Sequence, residues 1–551
     1  MIKKLLRNKI EQTLIDLGIS GEGHDFIVEI PNNPAFGDYS TNVAMILARS
    51  QKTAPKKLAE KISKSLKKSK AFSKIEIAGP GFINMHIAPS LYHQILWEIH
   101  KSGDKYGRSD VEHEGRILVE FVSANPTGPL NIVSARAAAF GDTLCRIFAY
   151  TGFHATREFY INDAGNQVDI LAESVELRLR ELHGDKIGEF PFEAYHGDYV
   201  RHLAQRLNAA EGIRIFMMPE KERIEHLKEF ALNEILMMQM NSLEKFGVNF
   251  DSWVSEKTLR TEGMVEEVLS YLAEAGCTFE KDDAIWFNSS KYGDDKDRVL
   301  MKSDGSITYI VPDLAYHLTK IERGYTKLID IFGPDHHGYV PRLTAAFKAL
   351  KYDDNMLQVI FLQQVNLFES GERVKMSKRA GKIVTMDDLV SVVGKDAARY
   401  FFIARKANAH LNFDLELALK QNNENPVYYC QYAYARISSI VKKAKKDKLI
   451  PRNYRKEWLS KLNKPEEMSI IQKLADFPTL LVTIAEQREP HRLTNFTEEL
   501  AGLFHRYYAR YQIANPKFKE LSKARLLLID AIRRVFAISF DLMGISAPEK
   551  M

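Results

Sequence analysis

Three cations crowd one small hydroxyl in the pentamer Lys375-Met376-Ser377-Lys378-Arg379, and Ala380-Gly381-Lys382 follows it. A cationic loop of this kind neutralises charge that builds on a polyphosphate as the bond to its α-phosphorus breaks, because positive charge held at that point lowers the barrier. An arbitrary Lys-rich pentamer would only be an exposed basic loop, so its neighbours decide. Residues 117–122 form a short apolar run of the buried parallel-strand type. It leads into the turn Ser123-Ala124-Asn125-Pro126-Thr127-Gly128-Pro129 and then an Ala-rich helical stretch over 135–150. Strand, glycine-bearing loop and helix make the βα opening of a nucleotide-binding sheet, with helix N–H groups available to an anion. Glu120 ends that apolar strand, and a buried carboxylate needs a partner. Asp313, after another apolar run, has the ordinary alternative of a helix N-terminal acid. Asp335-His336-His337 offers two adjacent imidazoles, too few for a zinc site.

Composition narrows what surrounds these residues. A chain of 551 residues has room for about three to five domains. Lys+Arg 77 against Asp+Glu 72 leaves a net charge of +5, which does not by itself identify a nucleic-acid binder. Cys145, Cys277 and Cys430 lie far apart, without zinc-ligand or redox spacing. That excludes a disulfide framework and a cysteine zinc site and fits a reducing, cytoplasmic setting. No run of about 18 apolar residues occurs, so no membrane span is expected. The charged, amphipathic segment 2–17 is a helix rather than a signal-peptide core.

The elements fall into three regions. Residues 1–110 form a small α/β unit, with helices over 2–17 and 42–68 and strands over 26–30, 75–77 and 82–87. Asp38 or Ser40 is placed to cap the helix that follows, and Gly79-Pro80-Gly81 breaks the chain between two strands. The basic amphipathic segment 56–70 is a solvated helix face. Residues 111–395 make the sheet domain, with later strands over 307–311, 328–332 and 358–364. Into it, a helical insertion is expected at about 166–290, with helices over 168–182, 199–210 and 221–246 and a β-like piece at 284–287. Residues 396–551 are nearly all helical, over 425–444, 468–487, 493–511 and 523–542.

In sequence the chain resembles the bacterial-type arginyl-tRNA synthetases, almost end to end. The likeness runs through Phe36-Gly37-Asp38-Tyr39-Ser40-Thr41-Asn42, Gly79-Pro80-Gly81-Phe82-Ile83-Asn84 and Ala124-Asn125-Pro126-Thr127-Gly128-Pro129-Leu130. It continues through Tyr160-Ile161-Asn162-Asp163-Ala164-Gly165, Asp313-Leu314-Ala315-Tyr316-His317 and Gly333-Pro334-Asp335-His336-His337-Gly338-Tyr339. The Lys375–Arg379 pentamer is similar to the second class I synthetase signature. The resemblance implies a Rossmann-type class I catalytic domain with a helical insertion, an N-terminal α/β additional domain that contacts tRNA, and a C-terminal helical anticodon-binding bundle. It also implies ATP, brought in with Mg²⁺, L-arginine and tRNA(Arg) as substrates, with no tightly bound cofactor and no resident metal, in a cytoplasmic monomer without a membrane partner.

The same resemblance distributes roles. ATP contacts fall on Pro129, Leu130, Asn131, Val133, Ser134, Lys375, Met376 and Lys378, and catalysis on Asn131, Ser134, Lys375, Ser377 and Lys378. Where the family carries His-x-Gly-His, this chain has Asn131-Ile132-Val133-Ser134. Asn131 and Ser134 keep hydrogen-bonding capacity but no charge, and Val133 puts a branched side chain where adenine approaches the backbone. Arginine's guanidinium presents a planar fork of five N–H donors, so its pocket needs carboxylate and hydroxyl acceptors. The resemblance places these on Tyr309 and Asp313, with Glu120, Ser123 and Asn125 at the other polar end and His337 close by. Asn162 and Asp163 shape the rim of this pocket, with Asp163 as a helix cap the alternative. Tyr432, Arg436 and Tyr508, in aromatic stretches interleaved with arginine, are placed to contact tRNA. Two rivals follow from the altered first signature and from the pocket: a catalytically inactive tRNA-binding paralogue, and a synthetase for another amino acid.

Overall fold

Ile2, Leu6, Ile10 and Leu14 recur every four residues and are all buried, which gives the helix Ile2–Asp16 a single apolar stripe. The computed structural model describes residues 2–19, 25–31, 33, 36–109, 111–374 and 385–551. In the N-terminal unit an antiparallel sheet has the strand order Val28–Glu29, Tyr39–Thr41, Phe82–Ile87, Phe72–Ala78. The helix expected over 42–68 is two helices, Val43–Leu47 and Pro55–Leu66, with Pro55 in the first turn of the second. Neither expected cap forms. The Asp38 carboxylate accepts the Ile87 N–H at 2.7 Å, and Ser40 is a strand residue whose hydroxyl donates to Asn84 Oδ1 at 2.8 Å.

The central sheet is all parallel, in the order Leu357–Phe361, Lys327–Phe332, Arg116–Glu120, His154–Ile161, Ser252–Ser255. Chain order reverses between Arg116–Glu120 and Lys327–Phe332, so a crevice opens beyond the carboxyl ends of these two strands. The helix Ile132–Tyr150 lies close on the sheet through Ala135, Ala138, Ala139 and Gly141. A Cβ at Gly141 would stand 2.4 Å from the Phe121 ring, so no larger residue fits this approach.

Three sequence expectations change here. Residues 307–311 are not a strand; Ile310 and Val311 open the helix Ile310–Glu322, a short apolar run being ambiguous between the two. The second strand, His154–Ile161, was hidden by Arg157 and Glu158 in its interior. Both find buried partners: Glu158 accepts from Arg323 and Tyr316, and Arg157 donates to Asp142 at 3.2 Å. The span 166–290 is not one helical insertion, because Ser252–Ser255 is the edge strand of the central sheet. Beyond it, Thr278–Lys281, Ala284–Phe287 and Arg298–Met301 form a small antiparallel sheet.

The C-terminal bundle contains Pro426–Lys446, Pro465–Gln487, His491–Arg510 and Lys519–Met543. By length and composition Pro465–Gln487 would pass for a membrane span. Here Ile470, Leu474, Phe477 and Leu481 along it are fully buried in the bundle core. Its Leu474 carbonyl accepts the Tyr106 hydroxyl at 2.9 Å, which ties the bundle to the N-terminal part of the chain. Arg399 joins bundle to sheet: fully buried, it donates to the Met543 carbonyl at 2.8 Å and to Asp142 Oδ2, on the helix Ile132–Tyr150, at 2.5 Å.

Candidate active site

Two adjoining cavities fill the crevice, of about 640 and 340 Å³, sharing walls at Val122, Ser123, Asn125, Phe332 and His336. Val122 and Ser123 form that shared wall at φ of 71° and 38°. A left-handed β-branched residue is strained, at a cost of about 1–3 kcal/mol. The double turn folds the Ser123 hydroxyl back onto Glu120 Oε1 at 2.9 Å.

The larger cavity is lined by Pro129, Leu130, Asn131, Val133 and Ser134, which the resemblance assigned to ATP. Asn131 is the N-cap of Ile132–Tyr150, and its Oδ1 accepts the Ser134 N–H at 2.8 Å. The Ser134 hydroxyl also turns to Oδ1, at 3.2 Å. The donor this pair leaves over is Asn131 Nδ2. The loop before it is held from the helix Glu220–Lys245: buried Gln239 Nε2 donates to the Asn125 and Gly128 carbonyls at 3.1 and 2.8 Å. Lys375, Met376, Ser377 and Lys378 lie outside the described residues. Where description resumes, Thr385 bridges to Asn131 and the Met386 N–H donates to the Leu130 carbonyl at 2.8 Å. Chain leaving the 375–384 segment is thus tied to the first loop.

The smaller cavity is lined by Glu120, Ser123, Asn125, Tyr309 and Asp313, five of the six residues assigned to arginine by resemblance. Tyr309, exposed, stands at the mouth, at the N-terminus of Ile310–Glu322. Asp313 Oδ2 is shut off from solvent with no hydrogen-bond partner. Burial pushes its carboxyl up to about 7, with the Tyr339 hydroxyl and His317 acting in the opposite direction. His337 is not on this wall; it stacks on Phe361 with ring centroids 3.8 Å apart, and His336 lines both cavities instead. Asn162 is on the rim, as expected. Asp163 is neither rim nor cap of its own helix: it accepts the Lys257 N–H at 2.9 Å and the Ser255 hydroxyl at 2.6 Å, serving the helix Glu256–Thr261.

Sequence reasoning missed Tyr160, Glu256 and Tyr339 on this wall. Glu256 looks like an ordinary first-turn acid, and only the edge strand before it brings it to the crevice. Its Oε1 takes two bonds from Arg260, at 2.9 and 2.6 Å, and Asn162, its amide turned to place Nδ2 inward, donates to Oε2 at 3.1 Å. Beneath the floor lies Asp330. Burial favours its protonation, but Lys320 and His317 outweigh that and hold the carboxyl well below the usual range. Among the described residues no group of three or more His, Cys, Asp or Glu is disposed to hold a metal ion.

Tyr432, Arg436 and Tyr508 come together on the bundle. The Arg436 guanidinium hydrogen-bonds the Tyr432 hydroxyl and lies 5.1 and 5.5 Å from the Tyr432 and Tyr508 ring centres. Tyr434 and Tyr507, from the same aromatic stretches, are buried in the core.

An acidic cavity with one unpartnered carboxylate oxygen, beside a cavity at a helix N-terminus, suits a cationic ligand beside an anionic one. Residues 4–87 match the arginyl tRNA synthetase N-terminal domain, 96–420 the class I (R) tRNA synthetase catalytic domain, and 430–551 the DALR anticodon binding domain. The arginine–tRNA ligase of Bacillus licheniformis is 43% identical over 100% of this chain and 99% of its own. A Campylobacter jejuni structure described as an arginyl-tRNA synthetase is 33% identical, with TM-score 0.78, over 84% of this chain and 100% of its own. The Thermus thermophilus arginyl-tRNA synthetase, at 21% identity and TM-score 0.75 over 100% of both chains, shares the fold. With a catalytic model covering more than half its length and relatives matched from end to end, this chain belongs to the arginyl-tRNA synthetase family.

Proposed function

We propose that the two joined cavities carry out, in two steps, the ATP-dependent ligation of L-arginine to tRNA(Arg). Arginine enters the smaller cavity with its guanidinium against Asp313 and Tyr309 and its α-amino end toward Glu120, Ser123 and Asn125. ATP, carrying Mg²⁺ on its phosphates, occupies the larger cavity against Pro129, Leu130, Asn131, Val133 and Ser134. The arginine carboxylate attacks the α-phosphorus, the bond to the bridging oxygen breaks, and pyrophosphate leaves with the electron pair. Neutralising the leaving pyrophosphate is assigned to Lys375 and Lys378 of the pentamer that also holds Met376 and Ser377, and Asn131 Nδ2 donates to a phosphate oxygen. A hydroxyl of the 3′-terminal adenosine then attacks the arginyl carbonyl and releases AMP. No covalent enzyme intermediate is needed; positioning and charge stabilisation supply the acceleration.

The observation that carries this reading is the solvent-excluded, unpartnered Asp313 Oδ2 in the smaller cavity. A buried acceptor without a partner is costly, and an entering guanidinium supplies the missing bonds and the counter-charge. The division of labour extends to regions 1–110, 111–395 and 396–551, with Tyr432, Arg436 and Tyr508 on the tRNA. The protein acts as a cytoplasmic monomer without a bound cofactor or a membrane partner.

Asn131-Ile132-Val133-Ser134 favours one rival, a tRNA-binding paralogue that no longer activates its amino acid. Charging of total tRNA with labelled arginine, lysine and glutamine separates them. Arginine alone is expected to be esterified. Folded protein that binds tRNA but charges nothing would leave the paralogue.

A further inference from the structure

The helix Ile310–Glu322 carries Asp313, Tyr316, His317 and Lys320 at spacings that put all four on one face. Except at Asp313, that face is sealed: His317 is 2% exposed, and Lys320 and the facing Asp330 are 0% exposed. From it a continuous set of hydrogen bonds runs from the Glu120 carboxylate to the backbone of Asp313. At one end His317 Nδ1 donates to the Asp313 backbone carbonyl at 2.7 Å, and Nε2 lies 2.8 Å from Asp330 Oδ2. Lys320 Nζ donates to the other Asp330 oxygen at 3.0 Å and to Glu120 Oε2 at 2.7 Å. Glu120 Oε1 accepts the Ser123 hydroxyl, whose oxygen in turn accepts the Tyr160 N–H at 3.1 Å. Lys320 Nζ also lies 4.1 Å from the centre of the Tyr316 ring, so its remaining side meets an aromatic face rather than the cavity.

Stability alone is a poor reason for this arrangement. Desolvating a lysine between two acids is expensive, and apolar residues of equal volume often match or exceed such a network. What an apolar floor cannot do is hold Glu120, at the end of its strand, and Asp313, on its helix, at one separation. Both face the same cavity, and each belongs to a different element.

We infer that Lys320, acting with Asp330 and His317, is a length gauge for the amino acid: it locks the spacing between Glu120 and Asp313 and so sets which side chain bridges them. The inference rests on the proposed placing of arginine's two ends on these carboxylates. Lys320 touches no substrate and is a positioning residue. Apolar contact discriminates poorly over one methylene, whereas two polar anchors at a rigid spacing leave one anchor unpaired when the ligand is too long or too short.

The test is pyrophosphate exchange by the full chain with tRNA present, using arginine and homoarginine, which is one methylene longer. Wild type is compared with Lys320→Gln and with the charge-balanced pair Lys320→Met, Asp330→Asn, which carries the test if the single variant does not fold. The expected result is an arginine KM raised about tenfold with ATP KM within about twofold, and a preference for arginine over homoarginine reduced about fivefold. A merely structural residue would lower the melting temperature or the active fraction but leave that preference alone. A folded variant whose preference stays within about twofold of wild type overturns the gauge. Wild type that exchanges with neither amino acid overturns the proposed activity on which the inference rests.

Discussion

Asn131 Oδ1 accepts both the backbone N–H and the hydroxyl of Ser134, at 2.8 and 3.2 Å, so one side chain caps a helix and shapes the wall of the larger cavity. Asn131→Ala removes both bonds. Loss of such a cap costs about 1 kcal/mol of stability. The proposed phosphate donor goes with it, so ATP KM should rise while arginine KM holds. Thermal denaturation and exchange kinetics on one sample check the two effects separately.

Val133 narrows the same cavity where adenine is proposed to lie. Val133→Gly should lower ATP KM by up to about tenfold, equivalent to about 1.4 kcal/mol. The helix should lose about 0.5–1 kcal/mol, because glycine is a poor helix residue. An unchanged ATP KM would show that the loop already accommodates the side chain.

Asp313 makes arginine binding depend on pH. Burial raises its carboxyl to about 7 in the unloaded pocket, Glu256 and Glu120 push the same way, and Tyr339 and His317 oppose them. A guanidinium favours the ionised form, so binding expels a proton wherever the free pocket holds one. Arginine KM should therefore rise about tenfold per unit as pH falls below about 7 and be flat above it. Asp313→Asn should abolish this limb and raise KM more than about a hundredfold, from roughly 3 kcal/mol of lost charge pairing. Steady-state exchange over about pH 5.5 to 8.5 measures both.

Asp142 is a stability node rather than a site residue. It is 1% exposed and accepts from Arg146 at 2.7 Å, Arg157 at 3.2 Å and Arg399 at 2.5 Å. Asp142→Asn strands these guanidiniums and should cost about 3–5 kcal/mol, read as a drop in the denaturation midpoint.

Coupling to tRNA is also testable. The resemblance to the arginyl-tRNA synthetases implies that arginine-dependent pyrophosphate exchange occurs only when tRNA is bound, so equal rates with and without it would defeat this expectation. Tyr432→Ala and Arg436→Ala should each raise tRNA KM, by an amount equivalent to about 1–3 kcal/mol if a base stacks there. Arginine KM at saturating tRNA should stay unchanged.

The sheet's opening strand, its loop and helix and the large helices were legible in the sequence because each is local: an apolar run, a turn, a period; the candidate pocket residues came from the likeness to a family. What failed was also systematic. The run 307–311 was too short to separate strand from helix, and His154–Ile161 hid its strand character behind Arg157 and Glu158, whose partners Asp142 and Arg323 belong to other elements. His336 and His337 are adjacent, and nothing in their order reveals which ring meets the cavity and which stacks on Phe361.

By itself the sequence determined residue types, their periodicity and their likeness to a family, and these were enough for fold class and activity. Only the tertiary structure decided that Glu256 joins Glu120 and Asp313 in one cavity, that Asp163 caps a helix elsewhere, and that Lys320 bridges Glu120 and Asp330. The physical reason is that a charge finds its partner through space. Parallel strands bring distant segments together, and burial makes each unpaired carboxylate on that surface either find a counter-charge or wait for a ligand to bring one.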